Sequence, residues 1–225
     1  MRPKCQAMNV VRSSSAERTR QKILNAALRL FATRGYAGAS TQVIIEAAHV
    51  TKPVLYYHFG SKAGLFRAVV DRTENHLLEL ILRIKGDVKN TPERLVQICA
   101  AIFQSACERP EVMSLAVDLL LQAKEQGPPH RYCFGKAQKR LAVIQEVMEQ
   151  GKIDGTLRDQ FGSRQLAVGF LGMIHYHVLF HLANPRSPLT RRTAKEAVSL
   201  FLAGAATGKS KHFLLNTELM KQPTK

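Results

Sequence analysis

Apolar residues recur along this chain at helical spacing, and no stretch keeps the strict alternation of a half-buried strand. Ile23, Ala27, Leu30 and Phe31 share one face of a first helix predicted from about Ala16 to Arg34, with Arg20, Lys22 and Arg29 outside it. Gly35 is placed to end that helix, because glycine accepts the left-handed conformation that a helix terminus often takes. Ser40 is placed to cap a short second helix with Val43, Ile44 and Ala47 inside. Thr51 is placed to cap a short third helix to about Phe59, with Pro53 in the first turn, where its missing N–H is no loss. Gly60 stops it, and Ser61 opens a long fourth helix through Leu65, Phe66, Val69, Val70, Leu77 and Ile81.

The same pattern continues to the end. Helices are predicted from Thr91-Pro92, after Arg109-Pro110, and from about Arg131 to Gln150, with Gly127-Pro128-Pro129 as a stop and Asp154-Gly155 as a corner. Two more follow, one over about 163–182 and one including Ala194, Val198, Phe201 and Leu202. The expectation is an all-α chain of about nine helices. A flexible basic tail spans 1–15, three helices 16–62 (with a short pair at about 40–59), a longer helical region 63–208, and a basic tail 209–225.

Charge sharpens this picture. The formal net charge is +16, and residues 1–62 hold ten Lys/Arg against two acids, so half the excess sits on little more than a quarter of the chain. That is an electrostatic footprint for nucleic acid or another anionic surface. A membrane-surface helix would leave a broad apolar face exposed, whereas here the apolar faces are those needed to pack three short helices together. No apolar run approaches the roughly 20 residues of a membrane span, and the basic N-terminus lacks the apolar core of a secretory signal. Cys5, Cys99, Cys107 and Cys133 have neither C-x-x-C nor zinc-ligand spacing, which suits reduced thiols in a cytoplasmic protein. His177 and His181 share a helix face with His175 nearby, but no carboxylate or thiol lies close in sequence to complete a metal set. No metal or other cofactor is expected.

The segment TKPVLYYHFGSK, residues 51–62, carries the chemistry. With Leu55 and Phe59 turned inward, Lys52, Pro53, Tyr56 and Tyr57 face outward or sideways. Tyrosine hydroxyls donate to phosphate oxygens, their rings reach sugars and thymine methyls, and lysine neutralises phosphate. Two short helices joined by a tight turn form a helix-turn-helix, whose second helix enters the major groove.

At this point residues 17–70 resemble the DNA-binding domain of the TetR-family transcriptional regulators. The resemblance rests on ILNAALRLFATRGY in the first helix, Ile44 and Ala48 in the second, and Val50-Thr51 at the turn. Leu55-Tyr56, Phe59, Ser61-Lys62 and Leu65-Phe66 complete it. Ser40 stands where the family usually has threonine, Ile45 where alanine is common, His49 where the turn is usually glycine, and Pro53 where glycine is common. The resemblance implies a three-helix DNA-binding domain over 16–62, with its helix-turn-helix at about 40–59, and a helical ligand-binding and dimerisation domain over 63–208. It also implies a homodimer that binds a near-palindromic double-stranded operator, a repressor rather than an activator, released by a small-molecule effector.

The candidate DNA contacts are Ser40, Thr41, Thr51, Lys52, Pro53, Val54, Tyr56, Tyr57, His58 and Lys62. The candidate effector pocket draws on Phe103, Met113, Tyr132, Phe134, Phe170, Met173 and His177. Two other classes remain as alternatives. A sequence-independent nucleic-acid binder would show the same charge without sequence preference. A helical enzyme would need a constellation absent here: there is no G-x-S-x-G, no G-x-x-x-x-G-K-[ST] and no H-E-x-x-H.

Overall fold

A computed structural model describes residues 4–121 and 128–205. Among them every helix and strand element is an α-helix. In order these are α1 (Lys4–Gly38), α2 (Thr41–Ala48), α3 (Lys52–Phe59), α4 (Lys62–Asp87), α5 (Thr91–Glu108), α6 (Pro110–Leu121), α7 (Pro128–Ile153), α8 (Ser163–Ala183) and α9 (Arg191–Ala205). The predicted tail 209–225 lies outside the described residues.

Several boundaries depart from the periodicity. The α1 backbone is helical from Lys4, well before the first apolar stripe, because residues 4–34 contain no glycine or proline to stop it. Gly35, at φ 66° and ψ 174°, kinks this stretch where the sequence placed its end. Pro128 and Pro129 open α7 rather than separating it from a later start, in keeping with the tolerance of a first helical turn for proline.

The chain divides into two compact units: residues 1–73 with 114–133, and residues 74–113 with 134–225. The first contains α1, α2 and α3 and has its own core of Ile23, Leu24, Ala27, Phe31, Ile44, Leu55, Leu65 and Phe66. Phe31, Tyr36 and Phe66 form an aromatic triangle with centroid distances of 5.1–5.8 Å. Each fully buried leucine or phenylalanine contributes about 2–3 kcal/mol, which is why the two short helices α2 and α3 hold against α1 at all.

The second unit is built around α5, buried along most of its length and packed against α8 and α9. Asn90 caps α5 by accepting from the Glu93 N–H at 3.0 Å, and Thr91 donates to Asp154 at 2.7 Å. The Asp154-Gly155 corner forms as predicted, with Gly155 at φ 74° and the Thr156 N–H donating to Asp154. Gly151 is required by packing: a Cβ there would stand 2.8 Å from Leu157 Cδ1 and Thr91 Cγ2. Arg140 forms a buried ion pair with Glu74.

One expectation is corrected. α8, at 21 residues and mean hydropathy 1.5 over its most apolar window, is long and apolar enough to cross a membrane by length and composition. Its other face explains that composition: Leu166, Ala167, Phe170, Leu171, Ile174 and Val178 are buried in the second unit's core.

Candidate nucleic-acid interface

The helix-turn-helix is fixed by its caps. Ser40 Oγ accepts from the Val43 N–H at 3.2 Å, so the hydroxyl hydrogen remains to donate elsewhere. α2 ends on His49, at φ 52° and ψ 49°, whose N–H donates to Glu46 O while the Val50 N–H donates to Ile45 O. This pair of bonds is a Schellman motif with histidine in the left-handed position that glycine usually fills. Thr51 stands at the N-cap of α3, as the sequence placed it, but its side chain makes no capping hydrogen bond. Ser61 does cap α4, accepting from the Gly64 N–H at 3.0 Å.

These caps present α3 with one face inward. Leu55 is fully buried, and Phe59 is half-buried beneath the Arg20 guanidinium, 5.5 Å from the ring centroid. Tyr57 is 84% exposed and Tyr56 40% exposed, an unusual amount of aromatic surface in water. Lys52 is exposed, with its ammonium 6.0 Å from the Tyr56 ring centroid. Of the ten candidate contacts, Ser40, Thr51, Lys52, Pro53, Tyr56 and Tyr57 are exposed, whereas Thr41, Val54, His58 and Lys62 are half-buried. Lys62 turns back toward α1: its ammonium donates to Ala37 O at 3.3 Å and stands 4.6 Å from the Tyr36 ring centroid.

A shallow open cleft of about 550 Å³ runs beside α3, lined by Pro53, Val54, Tyr57 and His58 and by Ser15, Ala16 and Thr19 of α1. The three α1 residues were not among the sequence candidates. Periodicity identifies the buried stripe of α1, but not which part of its outer face lies next to α3. Gly64 was missed as well. A Cβ there would meet Phe59 O at 2.0 Å, so only glycine lets α4 start this close to the end of α3.

The pocket candidates separate. Phe103 and Phe170 are buried in the second unit's core, with Met113 and Met173 packed against it and the His177 ring 5.7 Å from that of Phe103. Phe134 is 51% exposed, and Tyr132 packs in the first unit, its hydroxyl donating to Asp71 at 2.6 Å. Burial and the Asp71 bond push the Tyr132 hydroxyl up to about 12. The His177 and His181 Nδ1–H groups donate to Met173 O and Ser187 O at 2.8 and 2.6 Å. Burial, reinforced by the nearby Arg140 charge, pushes His175 down to about 4. Burial also raises the Cys99 thiol to about 12, so it is unreactive at neutral pH. Among the described residues no three His, Cys, Asp or Glu side chains converge as metal ligands.

The decisive match falls on this head: the family model for bacterial regulatory proteins of the tetR family covers residues 23–69. Residues 23–69 thus carry the DNA-binding domain of the tetR family. Relatives include the HTH-type transcriptional repressor NicS of Pseudomonas putida, 28% identical over 152 residues, or 66% of this chain and 70% of that one. Solved structures share the fold. FadR of Bacillus subtilis, in complex with stearoyl-CoA, superposes with a TM-score of 0.72 at 15% identity, covering 82% of this chain and 98% of that one. AibR, in complex with isovaleryl coenzyme A and operator DNA, gives 0.66 at 24%, covering 81% and 97%. With the tetR domain over residues 23–69 and a named transcriptional repressor among its relatives, this chain is a sequence-specific DNA-binding regulator.

Proposed function

We propose that this regulator is a cytoplasmic homodimeric repressor that grips a near-palindromic operator with two α3 helices and releases it when a small molecule binds the helical second unit. The observation that carries the DNA-reading part is the outer face of α3. Tyr57 and Tyr56 stand in solvent beside Lys52, while Leu55 on the opposite face is fully buried. Ser40, Thr41 and Thr51 offer hydroxyls to phosphates, and Lys52 offers charge. Pro53, Val54, Tyr57 and His58 line the side of α3 next to α1 and meet sugar and base edges.

The homodimer reading is supported by α8 and α9. Val168, Tyr176, Leu179 and Phe180 of α8 are 38–68% exposed, and Leu200 of α9 is 73% exposed. A methyl group added at Gly172 would meet nothing within 4 Å, which leaves room for the backbone of a second copy to approach. An apolar stripe this long in water marks an interface, and a two-fold pairing of α8 and α9 with their mates covers it. The effector reading is supported by the fold neighbours solved with acyl-coenzyme A ligands. In this chain Phe103, Met113, Phe170, Met173 and His177 provide an apolar interior with one polar edge.

The test is recovery of sheared genomic DNA by the purified protein at near-physiological salt, followed by sequencing. One or a few near-palindromic sites are expected. Broad recovery without a motif would instead make the basic charge, not α3, the source of binding.

A further inference from the structure

Lys62 is the one candidate contact whose charged group points away from α3's outer face. Three observations describe its setting. Its ammonium donates to the carbonyl of Ala37, in the last turn of α1, where backbone carbonyls lack helical partners and a cation is favoured. It stands over the Tyr36 ring at 4.6 Å, and that ring is itself fixed by stacking on Phe31 and by an edge contact with Phe66, both in the core. Partial burial lowers its pKa from the ordinary lysine value, as expected for an ammonium that has given up part of its hydration.

What this contact holds is the α1–α2 linker. Gly35 departs from helical geometry, and the Ala39 N–H returns to Gly35 O at 3.3 Å. Ala39 is fully buried, and Ser40 follows in extended conformation to cap α2. Among the described residues the linker consists of a glycine kink at one end, a single buried methyl, and a serine whose position decides where the first turn of α2 starts. The Lys62 bond joins this segment to the first residue of α4, 25 positions away in sequence.

We infer that Lys62 is a positioning residue of the DNA-reading head: its ammonium staples the α1–α2 linker to the start of α4 and sets where Ser40 and the first turn of α2 meet a phosphate, rather than neutralising a phosphate itself. This rests on the reading of α2 and α3 as the operator-binding helices. Lys52 is the contrasting case, an exposed ammonium on α3 with no carbonyl partner among its described contacts.

The experiment uses the full chain with Lys62→Ala, Lys62→Arg and Tyr36→Leu. The first readout needs no DNA. Amide exchange over residues 37–41 of the free protein rises at least about tenfold in Lys62→Ala and returns toward the original rate in Lys62→Arg, whose guanidinium keeps both the carbonyl bond and the ring contact. Unchanged exchange in Lys62→Ala overturns the staple. The second readout is affinity for a recovered duplex across a salt series. Lys62→Ala weakens binding by about tenfold with an unchanged slope of log K against log salt, and adds little to the loss from Ser40→Ala. A slope reduced by about 0.9, with losses that add to those of Ser40→Ala, makes Lys62 a direct phosphate ligand and overturns the inference.

Tyr36→Leu decides the matter if Lys62→Ala does not fold. It leaves the charge in place but also loosens the aromatic triangle, so exchange over residues 37–41 is compared with exchange over the buried part of α1: a rise confined to 37–41 supports the staple, and a rise across the head or none at 37–41 overturns it. If the original chain recovers no preferred duplex, the operator reading fails, and the exchange measurement still decides the staple.

Discussion

Two surfaces of this protein leave large side chains in water, and they differ in what surrounds them. On α3, Tyr56 and Tyr57 are exposed among Lys52, Thr51 and Ser40, with hydroxyls and positive charge close by. On α8, Val168, Tyr176, Leu179 and Phe180 are exposed around Gly169 and Gly172, and no lysine or arginine lies between 165 and 183. An apolar patch free of charge is satisfied by another apolar patch, most simply its own copy. Aromatic rings set among cations and hydroxyls are satisfied by a polyanion with flat, partly apolar edges. Exposure alone would have given both helices the same role; the chemistry of the neighbours separates them.

The comparison breaks most sharply if one surface can be destroyed without the other. Gly64→Ala forces a Cβ into the Phe59 carbonyl, at 2.0 Å in the present geometry. Backbone cannot yield as a side-chain tip does, so the head should lose more than about 3 kcal/mol of stability. Operator binding is expected to vanish, while sedimentation still reports a dimer. Loss of the dimer as well would mean that the two surfaces are not separable.

The converse variant is Tyr176→Glu with Leu179→Glu. A two-fold interface meets each new charge twice, without a partner, and should weaken by at least about 3 kcal/mol, or more than a hundredfold in the dimer constant. Light scattering should report a monomer with an unchanged circular dichroism spectrum. A dimer that survives would return the α8 stripe to the category of incidental surface.

Acid offers a gentler route to the same distinction, acting on the second unit through His175. Its pKa is about 4 in the folded chain against 6.5 for the free group, so the unfolded chain takes up the proton first as pH falls. Stability is therefore whole above about pH 6.5 and is lost between there and about pH 4. The loss is at most about 3 kcal/mol, less where solvent screens the half-buried ring. His175→Gln should flatten that part of the stability–pH curve. An unaltered curve would show that another group controls the acid response.

Much of this was legible beforehand because helix positions depend on local chemistry. The caps at Ser40 and Ser61, the buried Leu55 and the exposed Tyr57 follow from spacing and side-chain type. What could not be read depends on contacts between distant segments. The sequence offers Lys62 as a phosphate contact, but not its bond to the Ala37 carbonyl, which lies 25 residues away. Gly64 looked like an indifferent helix glycine until the Phe59 carbonyl was found against it. Tyr132 resembled a pocket aromatic, yet a bond to Asp71, 61 residues earlier, holds it in the other unit. His49 stands where the family usually has glycine, and the structure gives the reason: its φ is 52°, in the left-handed region that histidine tolerates better than most residues.

The smallest effect asks what Tyr57 itself contributes to the contrast. Tyr57→Phe keeps the ring and removes one hydroxyl from a side chain that is 84% exposed, so it should leave stability within about 0.5 kcal/mol of the original. A hydroxyl donating to a phosphate is a hydrogen bond to a charged group, and losing it costs about 1.5 kcal/mol, or roughly tenfold in operator affinity. Phosphate contacts carry no sequence information, so the loss should be similar for the preferred duplex and for unrelated DNA. A loss confined to the preferred duplex would place the hydroxyl on a base edge instead and make Tyr57 a specificity residue. No loss at all would mean that the ring alone engages DNA. The α3 and α8 surfaces would then differ in their neighbouring cations but not in what their tyrosines do.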